Sequence, residues 1–262
     1  MEYVKTNNCC KNNDILNYNK RMVVIRGMGL CDIRKIREDI YLFTDLSLGW
    51  YYNSTVIITN EGPIVIDVFS DEKMFNEVFD FIKEKGFDKP AAVIYTHWHS
   101  DHTTGNRIFG DRIIAHKSTA KHLEQLKMKL EKINRTDVIP LMPTELIEGS
   151  MELSIGGKTL ELIHCPGHTY GSILVYDKDN RVLVAGDNLV SKEVVFCIPP
   201  VIPSDSDDTS PVYLEHMFKV IERLEVDTII PGHGLMLNPR EILDLNKERY
   251  YKCLNENLKS IE

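Results

Sequence analysis

The stretch Thr96-His97-Trp98-His99-Ser100-Asp101-His102 puts three histidines and an aspartate within six residues. Imidazole nitrogens and a carboxylate converging on one point suit zinc or another borderline first-row metal. The apolar run Ala91 to Tyr95 just before it reads as a buried strand. If the chain stays extended past that run, His97, His99 and Asp101 point the same way, because strand side chains alternate. His102 then leaves from the other side unless the chain turns, and Thr103-Thr104-Gly105-Asn106 reads as a turn into a short helix. A lone histidine pair would more often cap or pack. This cluster is followed by three more candidates, each at the end of an apolar run. Leu160 to Ile163 leads to Cys165-Pro166-Gly167-His168-Thr169, Val182 to Ala185 to Gly186-Asp187, and Thr228 to Ile230 to Pro231-Gly232-His233-Gly234. A strand that ends in Gly or Pro and then a ligand places that ligand at the rim of a sheet. Four such strand ends meeting at one rim make a metal site.

At these residues the chain resembles the metallo-β-lactamase superfamily, over most of its length. The family's pattern is His-x-His-x-Asp-His, then His, then Asp, then His, on the loops of an αββα sandwich. All seven positions occur here in order. The resemblance implies an α+β fold, a four-layer αββα sandwich of two mixed β-sheets packed face to face with helices outside. It implies that His97, His99 and His168 hold one metal, that Asp101, His102 and His233 hold a second, and that Asp187 bridges both. A bridging carboxylate can hold two cations roughly 3.5–4 Å apart with one hydroxide between them. Asp101 and Asp187 are then the expected catalytic carboxylates, and two Zn2+ per chain the expected cofactors, with iron or manganese possible on the same donors. Asp67 matches a family aspartate that supports the site without binding metal; otherwise it only caps the turn before the next helix.

The elements that must position these residues follow from the pattern. Residues 1–21, rich in Asn and Lys, read as a weakly ordered extension, and residues 22–262 as a single domain. Regular structure is expected from Met22-Val23-Val24-Ile25. Ile33 to Asp45, Ser54 to Thr59 and Ile64 to Ile66 read as strands, the last ending at Asp67. Ser70-Asp71 signals a helix start, Phe75, Val78, Phe79 and Ile82 follow at helical spacing, and Gly86 ends the run. Arg112 to Ala115 reads as a short strand and Lys117 to Asn134 as an exposed, lysine-rich helix. From about Glu145 the plan of strands and helices repeats, with Ser210-Pro211 starting one helix and Pro239-Arg240 the last. The aromatic loop Leu46 to Tyr52 either covers the metal mouth or packs on the sandwich edge. The long Ser191 to Ser210 loop is a candidate substrate wall through Phe196, Ile198 and Pro199, while Asp205, Asp207 and Asp208 read as solvated. His116, His122, His164 and His216 read as surface or packed histidines, and Cys165 as pointing into the fold.

Composition narrows the function. A net charge of −8 over 262 residues argues against a general affinity for nucleic acid. No stretch approaches the ~20 apolar residues of a membrane helix, and the N-terminus has no apolar core of a signal peptide. Six scattered cysteines, among them the adjacent Cys9-Cys10, fit free thiols and a reduced, cytoplasmic setting rather than a disulfide framework. A small-molecule substrate follows, with the oligomeric state left open. The leading expectation is a dinuclear zinc hydrolase acting on an ester, thioester, lactone or amide. The alternatives are a mononuclear iron sulfur dioxygenase using His97, His168 and Asp187, β-lactamase activity as a secondary function, and a catalytically silent module. Subfamilies differ at readable positions. Zinc β-lactamases with a cysteine ligand carry it where Asp187 stands. Homoserine-lactone hydrolases place a tyrosine where Val190 stands, and flavodiiron reductases a glutamate where His99 stands. The residues after His233 are too few for the helical domain of the glyoxalase II type. Nuclease members have basic surfaces and extra domains that are not seen.

Overall fold

The computed structural model describes residues 3–4, 13–18, 21–26, 29–47, 49–106, 109–194 and 210–259. Among them the strands form two mixed sheets. The first runs in sequence order through β1 (Tyr3–Val4), β2 (Asn13–Tyr18), β3 (Arg21–Arg26), β4 (Gly29–Lys35), β5 (Ile40–Asp45), β6 (Asn53–Ile57), β7 (Ile64–Ile66), β8 (Ala92–Ile94), β9 (Ile113–His116) and β10 (Glu145–Ile147). It is antiparallel as far as β7, and β7 to β10 are parallel. The second holds β11 (Met151–Ile155), β12 (Lys158–His164), β13 (Ile173–Asp177), β14 (Val182–Val190) and β15 (Thr228–His233), with only the β14–β15 pair parallel.

Strand alternation decides the layers. Ile64, Ile66, Ala92, Ile94 and Ile114 face a core shared with Leu160, Leu162, Val175, Val182, Val184 and Ile230, which joins the two sheets face to face. The residues between them, Val65, Val93, Ile113 and Ala115, point the other way. There they meet Phe75, Val78 and Ile82 of α1 (Glu72–Glu84) and Leu123 of α3 (Lys117–Lys132). On the far side Leu183, Ala185 and Ile229 meet Leu214, Met217, Phe218 and Ile221 of α4 (Pro211–Glu222) and Ile242 and Tyr250 of α5 (Pro239–Lys259). Fully burying one such side chain is worth roughly 1.5–3 kcal/mol, so the layering is overdetermined. The order is helices, sheet, sheet, helices, the expected αββα sandwich.

Local signals act as read in several places. Asp71 caps α1, its carboxylate accepting from Lys73 N and Met74 N, and Gly86 beyond the last turn has φ +86°. Ser210 caps α4, with Pro211 at its first position. Other boundaries differ from the sequence reading. Strand pairing starts before Met22, since β2 lies within residues 1–21 and pairs with β3. The run Ile33 to Asp45 is two strands, β4 and β5, joined by a turn in which Ile36 N and Arg37 N both donate to Ile40 O. The chain after β8 does not stay extended to Asp101. A short helix, α2 (Ser100–Thr103), begins there with His99 at its N-cap. Cys9, Cys10, Leu48, Phe196, Ile198, Pro199, Asp205, Asp207 and Asp208 lie outside the described residues. None of the described helices is long and apolar enough to cross a membrane.

Candidate metal centre

Asp67, directly after β7, is the polar anchor of this rim. It is buried, and its φ of +56° is a left-handed conformation that a non-glycine residue rarely adopts. Such strain costs roughly 1–3 kcal/mol and persists only where the surroundings enforce it. Here they do. Asp67 N donates to Ile94 O and Asp67 O accepts from Ser54 Oγ. Asp67 Oδ1 accepts from Thr96 N at 2.7 Å, and Oδ2 accepts from Thr96 Oγ1 at 2.7 Å and from His102 Nδ1 at 3.0 Å. Because Thr96 donates to Asp67, its hydroxyl is left to accept from His97 Nδ1, 3.1 Å away. One carboxylate thus orients two imidazoles, His102 directly and His97 through Thr96, each with Nε2 turned inward.

The other ligand candidates come from the opposite sheet. His168 lies on the loop after β12. Its backbone N donates to Asn188 Oδ1 (2.9 Å), while Asn188 Nδ2 donates to Cys165 O. His233 is the last residue of β15. Its Nδ1 donates to Trp50 O at 2.9 Å, and Asn53 Nδ2 donates to both Pro231 O and Gly234 O around it. Asp187 departs from the expectation that it stands beyond a strand end. β14 continues to Val190 through a register irregularity at Gly186, where φ is +52°. The irregularity turns the Asp187 carboxylate to the rim.

All seven candidates meet. His97, His99, His168 and Asp187 form one group able to hold a metal ion, and Asp101, His102, His233 and Asp187 another. In each group the candidate ligand atoms lie within 4.8 Å of one another. Asp187 Oδ2 is 3.8 Å from His97 Nε2, 3.6 Å from His168 Nε2 and 3.3 Å from His233 Nε2. Asp187 Oδ1 is 3.2 Å from His102 Nε2, yet it is buried with no aligned hydrogen-bond donor. Asp101 Oδ2 is 3.2 Å from His233 Nε2 and 3.5 Å from His102 Nε2. Nitrogen faces nitrogen at 3.1 Å between His97 Nε2 and His99 Nδ1, at 2.8 Å between His168 Nε2 and His99 Nδ1, and at 3.3 Å between His102 Nε2 and His233 Nε2. Ring nitrogens crowded this way, around a buried carboxylate oxygen with no aligned donor, fit cations between them. Asp67 also lies near His97 and His102, but its oxygens are already accepting, so it orients them.

Charge divides the two groups. Burial pushes His97, His99 and His168 down, His168 to about 4, so their lone pairs are available at neutral pH. Burial also opposes charge on His102 and His233. There the carboxylates, Asp187 foremost, outweigh it and raise both, His233 to about 9. Burial would likewise raise Asp187 and Asp101, but the facing His233 and His102 hold both carboxyls below the usual range.

The aromatic loop after β5 lies at the mouth. Besides the bond from His233 to Trp50 O, Gly234 N donates to Tyr51 O, and the Tyr52 ring sits 4.7 Å from the His233 ring. Trp50 stacks over Tyr52 and is 40% exposed. Cys165 is buried, as expected. The supporting roles of Asn53, Asn188, Thr96 and the Trp50 carbonyl are absent from the sequence reading. An asparagine inside a β-run was the available signal for two of them, since Asn is depleted in strands.

The profile of the Metallo-beta-lactamase superfamily matches residues 48–233. Human acyl-coenzyme A thioesterase MBLAC2 is 27% identical over 168 residues, covering 58% of this chain and 58% of that protein. The chain therefore spans well under two thirds of that relative. The Bacillus cereus metallo-beta-lactamase type 2 is 23% identical over 225 residues, covering 81% of this chain and 80% of that protein. Among solved structures, the metallo-beta-lactamase from Pontibacter korlensis superposes with a TM-score of 0.67 at 18% identity, covering 84% of this chain and 99% of that one. On its fold, its converging histidines and aspartates and the profile match, the chain belongs to the metallo-beta-lactamase superfamily.

Proposed function

We propose that the chain is a dinuclear zinc hydrolase of small acyl compounds, with His97, His99 and His168 on one ion, Asp101, His102 and His233 on the other, and Asp187 shared. The observation that carries this reading is the position of Asp187 between the two groups, Oδ2 within 3.8 Å of His97, His168 and His233 and Oδ1, lacking an aligned donor, 3.2 Å from His102. Manganese fits these donors less well, because imidazole suits zinc and iron while manganese takes oxygen ligands. When bound, two such ions would supply Lewis acidity and lower the pKa of water from 15.7 towards ~7.

The chain's own residues supply position and proton handling. Asp67 and Thr96 hold His97 and His102 in one tautomer, and the Trp50 carbonyl does the same for His233. Asp101 is the solvent-facing carboxylate of the set, its side chain 27% exposed against 4% for Asp187. With Oδ2 turned to His102 and His233, it is the group placed to steer a proton between water and a leaving group. The exposed Trp50 offers an apolar surface beside His233 for an acyl group. Among ester, thioester, lactone and amide, the thioester is favoured, since several relatives are named acyl-coenzyme A thioesterases.

Purified protein with two zinc ions per chain that releases free thiol from acyl thioesters is the expected result. A protein carrying one iron, consuming oxygen with a persulfide and leaving thioesters intact, would move the assignment to the sulfur dioxygenase.

A further inference from the structure

The ligand candidates are not oriented in the same way. His97, His102 and His233 each donate their Nδ1 proton to a protein acceptor. His99 instead turns Nδ1 into the cluster, towards His97 and His168. Among the described residues none hydrogen-bonds its other nitrogen. A ligand imidazole without such a partner needs another device to hold its plane.

That device is Trp98. Its half-buried ring packs edge-on against the His99 ring, with centroids 4.3 Å apart and planes at 63°. It also meets α3. The His122 ring lies face to face with Trp98 at 5.2 Å and 14°. His122 is itself held, its Nδ1 donating to Ser118 O one turn back at 2.8 Å. The same helix face is docked on the loop that carries His168, where Thr119 Oγ1 donates to Gly171 O. The fit is tight, for a methyl group at Gly171 would meet Thr119 Oγ1 at 2.7 Å. The first turns of α3 therefore touch the supports of both His99 and His168, while His102 rests on Asp67 and His233 on the Trp50 carbonyl.

We propose that Trp98 is a positioning residue that sets the plane of His99, and that α3 clamps it through His122. This rests on the ligand assignment proposed above. Loss of the ring should weaken the ion at His97, His99 and His168 and leave the other largely as it was.

The test uses the full chain, stripped of metal and titrated with zinc against a chromophoric chelator. The variants are Trp98→Ala, Trp98→Phe, His122→Ala and His122→Phe, and cobalt loading gives a visible spectrum of each. Trp98→Ala should weaken one of the two zinc ions by about 10–100-fold and shift the cobalt spectrum, with Trp98→Phe restoring affinity to within about threefold. His122→Ala should weaken the same ion by a smaller factor, and His122→Phe should recover it, because an aromatic plane is what Trp98 meets. Metal-free melting separates loss of fold from loss of ligand. If Trp98→Ala does not fold, the His122 pair on the helix surface decides. Wild-type affinity and spectrum in Trp98→Ala and His122→Ala would overturn the proposal, as would Trp98→Phe being as weak as Trp98→Ala. Wild-type protein that takes up no zinc would overturn the ligand assignment itself, and this inference with it.

Discussion

Gly232 stands where a methyl group has no room. An ideal Cβ there would lie 1.9 Å from Asp187 Oδ1, 2.7 Å from the Gly186 carbonyl carbon and 2.9 Å from Asp187 N. Non-bonded atoms rest at roughly 3.5 Å, so in Gly232→Ala the carboxylate must retreat by about 1.5 Å. Two of the three contacts are with backbone, so β14 must yield as well. Gly232 does not have a positive φ, so alanine meets no conformational obstacle and contact alone decides the outcome. Metal–ligand distances tolerate only ~0.2 Å, and a misplacement of ~1 Å at a reacting centre costs on the order of 100-fold in rate. Gly232→Ala should therefore lose at least one metal ion and fall about 100-fold or more in turnover. Overpacking of about 1–3 kcal/mol should lower the melting temperature by several degrees without unfolding the protein. Elemental analysis, thermal melting and thioester turnover on one sample check this. Two retained metals with turnover within a few-fold of wild type would refute the reasoning that Gly232 is the surface on which Asp187 rests.

Asp187→Ala should lose the second ion and almost all hydrolysis, with the fold retained, as read by metal content and melting; two tightly bound ions would rule out a shared carboxylate. Asp67→Asn keeps a side chain that tolerates φ above zero but cannot accept from both Thr96 and His102. Zinc affinity should fall by about 10–100-fold at both ions, whereas Thr96→Val should affect chiefly the ion at His97, as chelator competition can show. His116 provides a pH test away from the ligands. It caps α3 by accepting from Ser118 N, and burial, then the stacked His164 ring, push it down to about 4. The unfolded chain binds this proton near 6.5 and the folded chain does not, so the stabilisation is full above about 6.5 and is lost as pH falls towards 4. In metal-free protein, wild type should lose melting temperature over that window more steeply than His116→Asn, which still caps the helix; parallel curves would count against it.

The candidate ligands are legible because each is a hydrogen-bonding residue at or near the end of an apolar run, and apolar runs are what sequence periodicity reports. Ile64 to Ile66, the Ala91 to Tyr95 run that holds β8 and the Thr228 to Ile230 run that opens β15 are all strands for that reason. The start of α2 was hidden because His99 occupies its N-cap without a side-chain bond, so no cap residue announces it. The turn between β4 and β5 was hidden because residues 36–39 contain neither Gly nor Pro. Asp187 was placed beyond its strand because Gly186 looked like a terminator. In fact it bends a strand that continues. The contacts of Asn53 with the turn at His233 span some 180 positions, and no local pattern carries such information.

The two rims of the sandwich are joined by different chemistry. Away from the ligands, Lys158 pairs with Asp39 and Asp177, and Arg37 donates to Asn180 O and Thr228 Oγ1. At the ligand rim the cross-sheet bonds outside the candidate ligands themselves are neutral. Asn53 donates to the two carbonyls beside His233, Ile173 N donates to Thr96 O, and Thr119 donates to Gly171 O. Among the described residues no lysine or arginine pairs with Asp67, Asp101 or Asp187. A fixed ammonium or guanidinium there would compete with a metal ion for the same carboxylates. Amides and hydroxyls hold the sheets together without that competition. Four of the candidate ligands come from the β8 side and three from the second sheet, so a bound ion would itself cross the seam. Neutral bonds fix the seam beforehand and leave the carboxylates to the cation.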